Sequence, residues 1–580
     1  MKISRVKIEN YRNLKNVDVA LENIVSVVGA NNSGKSNFLR ALMIPLSAET
    51  SAASKQLTWY DINREAKKTY YTFLETNKKS IIDNSLDLDT FIQHIPVVRI
   101  VLYLEPNDKE HYNVKDILCE DDDENWVGGI AYTFFVKQPN ELLDRVREVL
   151  SLEPVDDKVQ MSLLPIELYT YSITVPKKGS KVAYDVLSKF RTVELPADRD
   201  SFASNSSKLG SKALAELLQK ALNGESQAKI EKKYNDFFET IRREGDLDTI
   251  LNWQVYSEIP NAQDFFKEIT ILPNMPQMSS ILGSIRLGYE NDNMFSQGLG
   301  HRNLVLMAVI LNSYIEKSRD VSFRLVTVEE PEAHLCNSNI LLMTSLFNSF
   351  IQKNDYTQIV YSTHSTEFVN KVGLDKVLVF YNGDVINLSE ELSETECDYL
   401  TANPNTDIFE LFYSRKIILV EGLTDELLIK SYLQTKDELH DIKVLSFHKG
   451  FQKIIRIWKK INGGNGKKLG IVRDSDDQPK AQAEHEQLQD SQITVRTTKG
   501  YTLETDVTNS NYELLKEKYG TDYGWSDMTA DELQADWREK KSDIMLRICH
   551  DLVNGDLQGF RLPQHMQQII DFMQGDSNDC

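Results

Sequence analysis

Apolar residues recur at two spacings along this chain. Near the start they alternate with polar ones: Ile3, Val6 and Ile8, then Val17 and Val19 around Asp18. Such alternation marks half-buried strands. Ile24-Val25-Ser26-Val27-Val28 is a denser apolar run that ends in Gly29 and predicts a buried strand. From Ser36 the spacing lengthens, and Phe38, Leu39, Leu42 and Met43 share one face of a predicted helix. Val97 to Leu104 reads as another strand, while residues 50–95 are polar and show no period. Residues 206–244 predict helices. Leu214, Leu217, Leu218 and Leu222 form one stripe; Ile230, Tyr234, Phe237, Phe238 and Ile241 form another beyond a break at Asn223-Gly224. Strand runs resume at Ile269–Leu272, Arg324–Val328 and Gln358–Tyr361. Residues 388–408 read as a polar linker with Asn403-Pro404-Asn405, and a second strand–helix alternation begins at Lys416. The acidic run Glu120–Glu124 reads as a solvated loop.

Length and composition narrow the class. The chain has 580 residues and 41% apolar content, enough for several cores. The longest apolar stretches, such as Leu304 to Leu311, are far shorter than the ~20 residues of a membrane span. Met-Lys-Ile-Ser-Arg-Val at the N-terminus has no apolar signal core. Cys119, Cys336, Cys397, Cys549 and Cys580 are scattered with no Cys-x-x-Cys pair, which argues against a disulfide framework or a structural zinc site. A cytoplasmic protein with no membrane partner is the expectation. The net charge of −21 argues against nucleic acid as a partner, unless one basic groove is hidden in the sum.

Gly29-Ala30-Asn31-Asn32-Ser33-Gly34-Lys35-Ser36 follows a strand and opens a helix. Its glycines let the backbone wrap phosphates, with amide N–H groups and the helix N-terminus facing the anion. Asn32, Ser33 and Gly34 would line that loop. Lys35 would reach the β/γ-phosphates of ATP, and Ser36 would hold Mg²⁺. Val326-Thr327-Val328-Glu329-Glu330-Pro331 is an apolar strand ending in acids. It assigns Glu329 to the metal and Glu330 to polarising the attacking water. His364 closes a further strand, where it could sense the γ-phosphate.

This order of motifs resembles the ABC-type ATPases of the structural-maintenance-of-chromosomes class. The lead-in from Ile8 to Asn13 resembles that class too, and the resemblance puts Arg12 near the nucleotide. Ser296-Gln297-Gly298-Leu299-Gly300-His301 looks like a divergent signature loop. By the same resemblance Ser296 and Gly298 would complete the nucleotide site across a dimer. Only 295 residues separate Lys35 from Glu330, too few for long coiled-coil arms.

A second set of acids follows. Ile417-Ile418-Leu419-Val420 leads into Glu421-Gly422-Leu423-Thr424-Asp425, with Thr424 as a candidate helix cap. Ile471-Val472-Arg473 leads into Asp474-Ser475-Asp476-Asp477, and Thr502-Leu503-Glu504-Thr505-Asp506 follows. Acidic loops at consecutive strand ends would converge at the carboxyl edge of one sheet. Hard cations such as Mg²⁺ or Mn²⁺ suit carboxylate oxygens. The order resembles a Toprim domain, and the further Glu-x-Asp resembles the OLD (overcoming lysogenization defect) nucleases. That resemblance implies metal-site roles for Glu421, Asp425, Asp474, Asp476, Glu504 and Asp506, with Glu421, Asp474 and Asp476 central to catalysis. It also implies a catalytic Lys, for which Lys541 is the best match and Lys540 the rival.

Between the first two acidic loops, residues 443–473 carry nine Lys or Arg and no acid. Lys449, Lys453, Arg456 and Lys460 recur at helical spacing and are candidate DNA contacts. The expected architecture is α/β. An ABC-type P-loop ATPase (1–200 and 266–400, interrupted by a helical, candidate dimerisation insert at 201–265) precedes a Rossmann-like Toprim domain at 409–580. The resemblance implies an ATP-dependent, Mg²⁺- or Mn²⁺-requiring DNA endonuclease of bacterial antiphage defence. It would act as a homodimer or higher oligomer, with a co-encoded partner such as a helicase-like subunit or retron components. A non-nucleolytic repair ATPase and an ATP-switched scaffold that recruits a nuclease are the alternatives. A primase or topoisomerase is disfavoured, since no zinc cysteines and no strand-passage domain accompany the acids.

Overall fold

A computed structural model describes residues 1–46, 55–107, 111–152, 160–197, 209–245, 258–259, 277–283, 285–290, 292–315, 321–365, 368–369, 373–401, 410–436, 441–447, 450–475, 483, 487–500 and 502–575. The chain divides into two compact units. The first holds Met1–Glu194, Ser322–Pro331 and Gln358–Cys580; the second holds Leu195–Val321 and Glu332–Thr357.

The first unit opens with the alternating segments as an antiparallel pair, Lys2–Tyr11 (β1) and Leu14–Ala20 (β2). The dense run follows as Ile24–Gly29 (β3), buried at every position, and leads into the helix Lys35–Met43 (α1). Phe38, Leu39 and Leu42 of α1 are buried, as their spacing predicts. Val98–Glu105 (β4), Leu118–Glu120 (β5), Trp126–Val136 (β6) and Tyr169–Thr174 (β7) extend the β1–β2 sheet in the order β2-β1-β4-β6-β5, with β7 on β6. Phe190–Leu195 (β8) belongs to the second sheet. Beyond Glu120, which ends β5, the acidic run is a solvated turn, with Asp122, Asp123 and Glu124 exposed. Leu118–Glu120 is strand, Asp122 pairs with Lys7, and Asp123 lies 3.3 Å from Arg5. The carboxylate of Asp121 accepts the N–H groups of Asp123 and Asn125 and closes the turn.

The second unit contains Leu209–Ala221 (α2) and Gly224–Glu244 (α3), the two predicted helices. The break between them is a helix start, since the Asn223 side chain accepts the N–H of Ser226 at 2.8 Å. Short strands Gly288–Tyr289 (β9) and Asp292–Asn293 (β10) precede Leu299–Ser313 (α4) and Asn337–Gln352 (α5). The strand expected at 269–272 lies outside the described residues.

In the first unit, Phe323–Glu329 (β11), Thr357–Ser362 (β12), Val377–Tyr381 (β13) and Asp384–Asn387 (β14) complete the order β14-β13-β3-β12-β11-β8. Both neighbours of β3 run parallel to it. Parallel strands covered on both faces read as unbroken apolar runs, which is why these segments lack alternation. Part of the expected linker is instead structured: Glu394–Thr401 is a helix (α6), with Leu388, Leu392 and Leu400 buried. Asn403-Pro404-Asn405 lies outside the described residues.

The last sheet is parallel, in the order β16-β15-β17-β18: Lys416–Val420 (β15), Ile442–Ser446 (β16), Lys468–Arg473 (β17) and Ile493–Thr497 (β18). Leu423–Gln434 (α7), Phe451–Asn462 (α8), Leu503–Tyr523 (α9), Ala530–Glu539 (α10), Lys541–Val553 (α11) and Gln564–Gln574 (α12) accompany it. Gly422, not Thr424, occupies the cap of α7. Phe451, Ile454, Ile455, Trp458 and Ile461 of α8 share one apolar face. They pack in a single core with Val28, Val377 and Val379 of the nucleotide sheet and Ile417, Leu419, Leu469 and Ile471 of the last sheet. Each such buried side chain contributes roughly 1.5–3 kcal/mol relative to exposure. Among the described residues, no helix is long and apolar enough to cross a membrane.

Lys467 sits at this junction, 1% exposed. Its ammonium donates to the Phe412 carbonyl and, at 2.8 Å, to Asn462 Oδ1, and it lies 4.2 Å from the centre of the Tyr381 ring. Burial disfavours the charged form and pushes its pKa from 10.5 down to about 7. Between those values the unfolded chain binds a proton that the folded chain does not, so this group adds stability as pH rises. The Tm difference between wild type and Lys467→Met should therefore shift in favour of wild type between about pH 7.5 and about pH 9.5. A difference that stays flat across that interval would show that Lys467 is not held neutral.

Candidate functional site

The nucleotide loop is shaped by close contacts that require glycine. A Cβ on Gly29 would lie 2.3 Å from the Phe380 carbonyl oxygen. Gly34 has φ +119, and a Cβ there would meet Leu14 Cδ2 at 2.9 Å. Asn32, also in the loop, adopts φ 62. Lys35 Nζ donates to the carbonyls of Gly29 and Ala30 at 2.8 and 3.0 Å, so it folds back over the loop. The first-turn N–H groups of α1 have no partner within the helix and open toward the loop. A cleft of about 670 Å³ is lined by this loop with Ser36, Asn13, Glu329, Glu330, Ser362 and His364.

The sheet order brings the acids there. One strand, β12, separates β11 from β3, and both Glu329 and Glu330 reach the cleft. Glu330 is held at φ 44, outside the usual region for an L-residue, by an N–H bond to the Ser362 carbonyl at 2.9 Å. His364 Nε2 lies 3.8 Å from Glu330 Oε1. Burial, then the charge of Lys35, lowers the His364 pKa against the opposing pull of Glu330. A neutral imidazole therefore faces the cleft.

The second cluster stands at the carboxyl edge of the last sheet. β15 and β17 are parallel neighbours in register, Val420 beside Val472, so the loops that follow them open together. The N–H of Asp474 donates to Glu421 Oε2 at 3.0 Å. Asp425, in the first turn of α7, is 4% exposed, and Glu504, in the first turn of α9, is 2% exposed. The Asp425 carboxyl is pushed up to about 8, first by burial and then by the negative charges of Asp474, Glu504 and Glu421. Four acids thus repel one another in a poorly hydrated pocket, a donor set that suits a hard divalent cation. No three such side chains among the described residues meet in a metal-ready arrangement. Asp476 lies outside the described residues.

Asp506 has a different environment. Its carboxylate accepts the N–H groups of Lys499 and Gly500 at 2.8 and 2.7 Å, and lies 3.0 Å from His565 Nδ1. Burial raises its pKa, but His565 and the two N–H groups outweigh that and hold it below the ordinary carboxylate value. Lys541 opens α11, and its side chain lies outside the description; Lys540 is 3.5 Å from Asp536.

The sequence of the chain matches the AAA ATPase domain family (AAA_15) over residues 1–369. The chain belongs to that family. Two curated relatives carry the name Endonuclease GajA. The one from Bacillus cereus (strain HuB5-5) is 27% identical over 188 residues, 27% of either chain. The one from Bacillus cereus (strain VD045) is 20% identical over 453 residues, 76% of this chain and 69% of that one. The chain therefore spans about a quarter of the first relative and about two thirds of the second. Among solved structures, an SMC head bound to the C-winged helix domain of ScpA shares 14% identity at a TM-score of 0.32. It covers 67% of this chain and 99% of its own. Stu0660 of Streptococcus thermophilus shares 9% at 0.34, covering 67% and 78%.

Within this ATPase, Asn32, Ser33, Gly34, Lys35, Ser36, Glu329, Glu330 and His364 gather in one cleft. Arg12 is not among the lining residues. Its guanidinium donates to Asp61 at 2.8 Å and to Asn37 at 2.9 Å, so it braces the loop from behind. Ser296 and Gly298 belong to the second unit, where Gly298 precedes the first turn of α4. The expected DNA-facing basic strip needs correction. Lys460 pairs with Glu396 at 2.8 Å, and Lys453 lies 4.1 Å from the centre of the Tyr399 ring, so both are engaged by α6. Lys459 pairs with Asp490, and Lys467, Lys468 and Arg473 are buried; of the described candidates Arg456 and Lys460 are exposed and Lys453 is half-buried. Lys449 lies outside the described residues.

Sequence reasoning missed Asn13, whose amide donates to the Asn32 carbonyl at 3.1 Å and accepts from Asn37 at 2.7 Å. It also missed Gly383, in the turn between β13 and β14. The Gly383 N–H donates to the Ser33 carbonyl at 3.0 Å. Asn382-Gly383 was legible as a turn signal, not as a loop contact. At φ +89, a Cβ on Gly383 would lie 2.0 Å from the Asn13 carbonyl oxygen. Strain of about 1–3 kcal/mol at such a position predicts that Gly383→Ala weakens nucleotide binding about tenfold. Titration with a fluorescent ATP analogue measures this, and unchanged affinity would show that the hairpin does not hold the loop.

Proposed function

We propose that this chain is an ATP-responsive, divalent-metal-dependent DNA endonuclease, with a Toprim-type site built on the last sheet. The observation that carries the reading is the group formed by Glu421, Asp425, Asp474 and Glu504, whose charges act on one another at the edge of a parallel sheet. The name of the two relatives, and the length shared with the second, supports DNA as the substrate. Mg²⁺ or Mn²⁺ bound by these acids, with Asp476, would supply an activated water and stabilise the leaving oxygen of a phosphodiester. Glu421 orients the Asp474 backbone. Asp425, buried and repelled by its neighbours, favours any cation that relieves that repulsion. Lys541, or Lys540, would balance phosphate charge in the transition state. In the cleft, Lys35 and Ser36 hold ATP and Mg²⁺, Glu329 the metal, and Glu330 the water.

ATP gates the nuclease in this reading, through a contact already formed. The β13–β14 hairpin touches Ser33 with Gly383 and Lys467 with Tyr381, and Lys467 immediately precedes the strand that ends at Arg473, just before Asp474. The antiphage role, the homo-oligomer of two or more chains completed through Ser296 and Gly298, and a co-encoded partner follow from the resemblance to the OLD family. The scaffold reading keeps one observation in its favour, the lack of a metal-ready triad among the described acids.

Plasmid nicking with Mg²⁺ or Mn²⁺ separates the two. Asp474→Ala and Glu421→Ala should each slow cleavage by at least about a hundredfold, the scale of losing a charge-stabilising group. Cleavage undiminished in both would overturn the Toprim reading. Lys35→Ala should remove the effect of ATP on nicking; an ATP response equal to wild type would exclude gating through this cleft.

A further inference from the structure

We propose that Asp506 and His565 are positioning residues of the acid site, and that Asp506 is not a metal ligand. The inference rests on the nuclease reading above and refines its ligand set. A carboxylate offers about four lone-pair directions. In Asp506, Oδ1 accepts the Gly500 N–H at 2.7 Å, and Oδ2 accepts the Lys499 N–H at 2.8 Å. Oδ2 also lies 3.0 Å from His565 Nδ1. These contacts take three of the four directions and leave one on Oδ1 beside the Gly500 N–H, so a cation held by both oxygens would have to displace the Lys499 N–H or His565 in a buried place. Losing such a partner costs roughly as much as leaving a buried donor unsatisfied.

The loop held by Asp506 brackets the central acid. Thr498 donates its N–H to the Arg473 carbonyl at 3.0 Å, and its hydroxyl accepts the Ser475 N–H at 2.9 Å. The same hydroxyl donates to the Gly500 carbonyl at 3.0 Å. Both neighbours of Asp474 are thus bonded to Thr498. The loop also lies hard against α9, since a Cβ on Gly500 would come within 2.4 Å of Thr505 Cγ2. Glu504 lies in the same first turn of α9, so the anchor that fixes Asp506 also fixes where Glu504 enters the cluster.

His565 completes the anchor from α12. It is 3% exposed, and its ring lies at ion-pair distance from Asp506 without the alignment of a hydrogen bond. Met566, Ile569, Ile570 and Met573 of the same helix are buried in the core that contains Val420 and Val472. α12 therefore links the sheet's packing to the loop through His565 and through Gln564, whose Oε1 accepts from the Lys499 ammonium.

The test uses full-length protein and Mn²⁺ itself. Electron paramagnetic resonance counts bound Mn²⁺, plasmid nicking is followed against Mn²⁺ concentration, and hydrogen exchange reads the Lys499 and Gly500 amides. Asp506→Asn and His565→Leu should keep the wild-type number of Mn²⁺ ions per chain and weaken their affinity about 10–100-fold. Nicking should recover as Mn²⁺ is raised by the same factor, and exchange should quicken at residues 499 and 500 but not across β15 or β17. His565→Gln, which keeps a donor, should restore Mn²⁺ affinity. Glu504→Gln should lose an ion that excess Mn²⁺ does not restore. Loss of one ion in Asp506→Asn would make Asp506 a ligand and overturn the proposal. Wild-type affinity and exchange in His565→Leu would overturn the role of His565. Wild-type protein that neither binds Mn²⁺ nor nicks DNA would overturn the nuclease reading itself, and this inference with it.

Discussion

The rest of the first unit depends on one shared core. Val28 precedes the glycine that opens the phosphate loop, and it packs in the same apolar cluster as Ile417, Leu419, Leu469 and Ile471. The helix α8 fills that cluster with Phe451, Ile454, Ile455, Trp458 and Ile461. Protein interiors are close-packed, so neither sheet can shift without repacking this helix. The two candidate sites are therefore mounted on a common body, each at the carboxyl edge of its own sheet. Parallel strands put their loops on one edge, and that geometry, more than any single residue, gathers the acids in both places.

Charge follows from the same packing. The basic segment 443–473 hides a local surplus inside a chain of net −21. Part of that surplus serves the junction: Lys460 meets Glu396, Lys459 meets Asp490, and burial pushes the Lys467 pKa down to about 7. Exposed ion pairs of this kind contribute little each, about 0–1 kcal/mol, so the apolar face of α8 dominates the attachment. The charges instead fix which face of α8 meets α6. Repulsion at the acid cluster is the opposite case. There Asp425 and Glu504 are buried, and burial first, then the charges of Asp474, Glu504 and Glu421, pushes the Asp425 carboxyl up to about 8.

Local chemistry was the legible part. The phosphate loop, the strand ending in Glu329 and Glu330, and the paired helices α2 and α3 each announce themselves within a few residues, because spacing and turn chemistry are local properties. The Toprim-like order of strand, acid and glycine was legible for the same reason. Partner choice was not. Lys453 and Lys460 have the spacing of a free basic face, yet both bond residues of α6, more than fifty residues earlier. In the proposed arrangement Asp506, which has the spacing of a metal ligand, instead bonds Lys499 and Gly500 and faces His565. In each case a contact distant in sequence or turned toward the backbone decided the role, and one-dimensional spacing holds no record of it. The partners of Arg12 were no more legible: it bonds Asn37 beside the cleft and Asp61, 49 residues further on.

The hairpin β13–β14 shows how little chain is needed to join the two sites. It is rigid, with four paired positions and a tight turn at Asn382-Gly383. One side of it bonds the carbonyl of Ser33, and Tyr381 supplies the ring face over Lys467. Lys467 is held in turn by the Phe412 carbonyl and by Asn462 at the end of α8. An ammonium in so dry a place is stabilised only by those few contacts, and a small displacement of Tyr381 changes its environment steeply. Energetic coupling needs an element that both sites can bias. Of the described contacts, this one meets the phosphate loop at one end and the strand carrying Asp474 at the other. Val377 and Val379 of β13 pack in the shared core, so a shift of the hairpin at the phosphate loop is felt in the packing beneath both sheets.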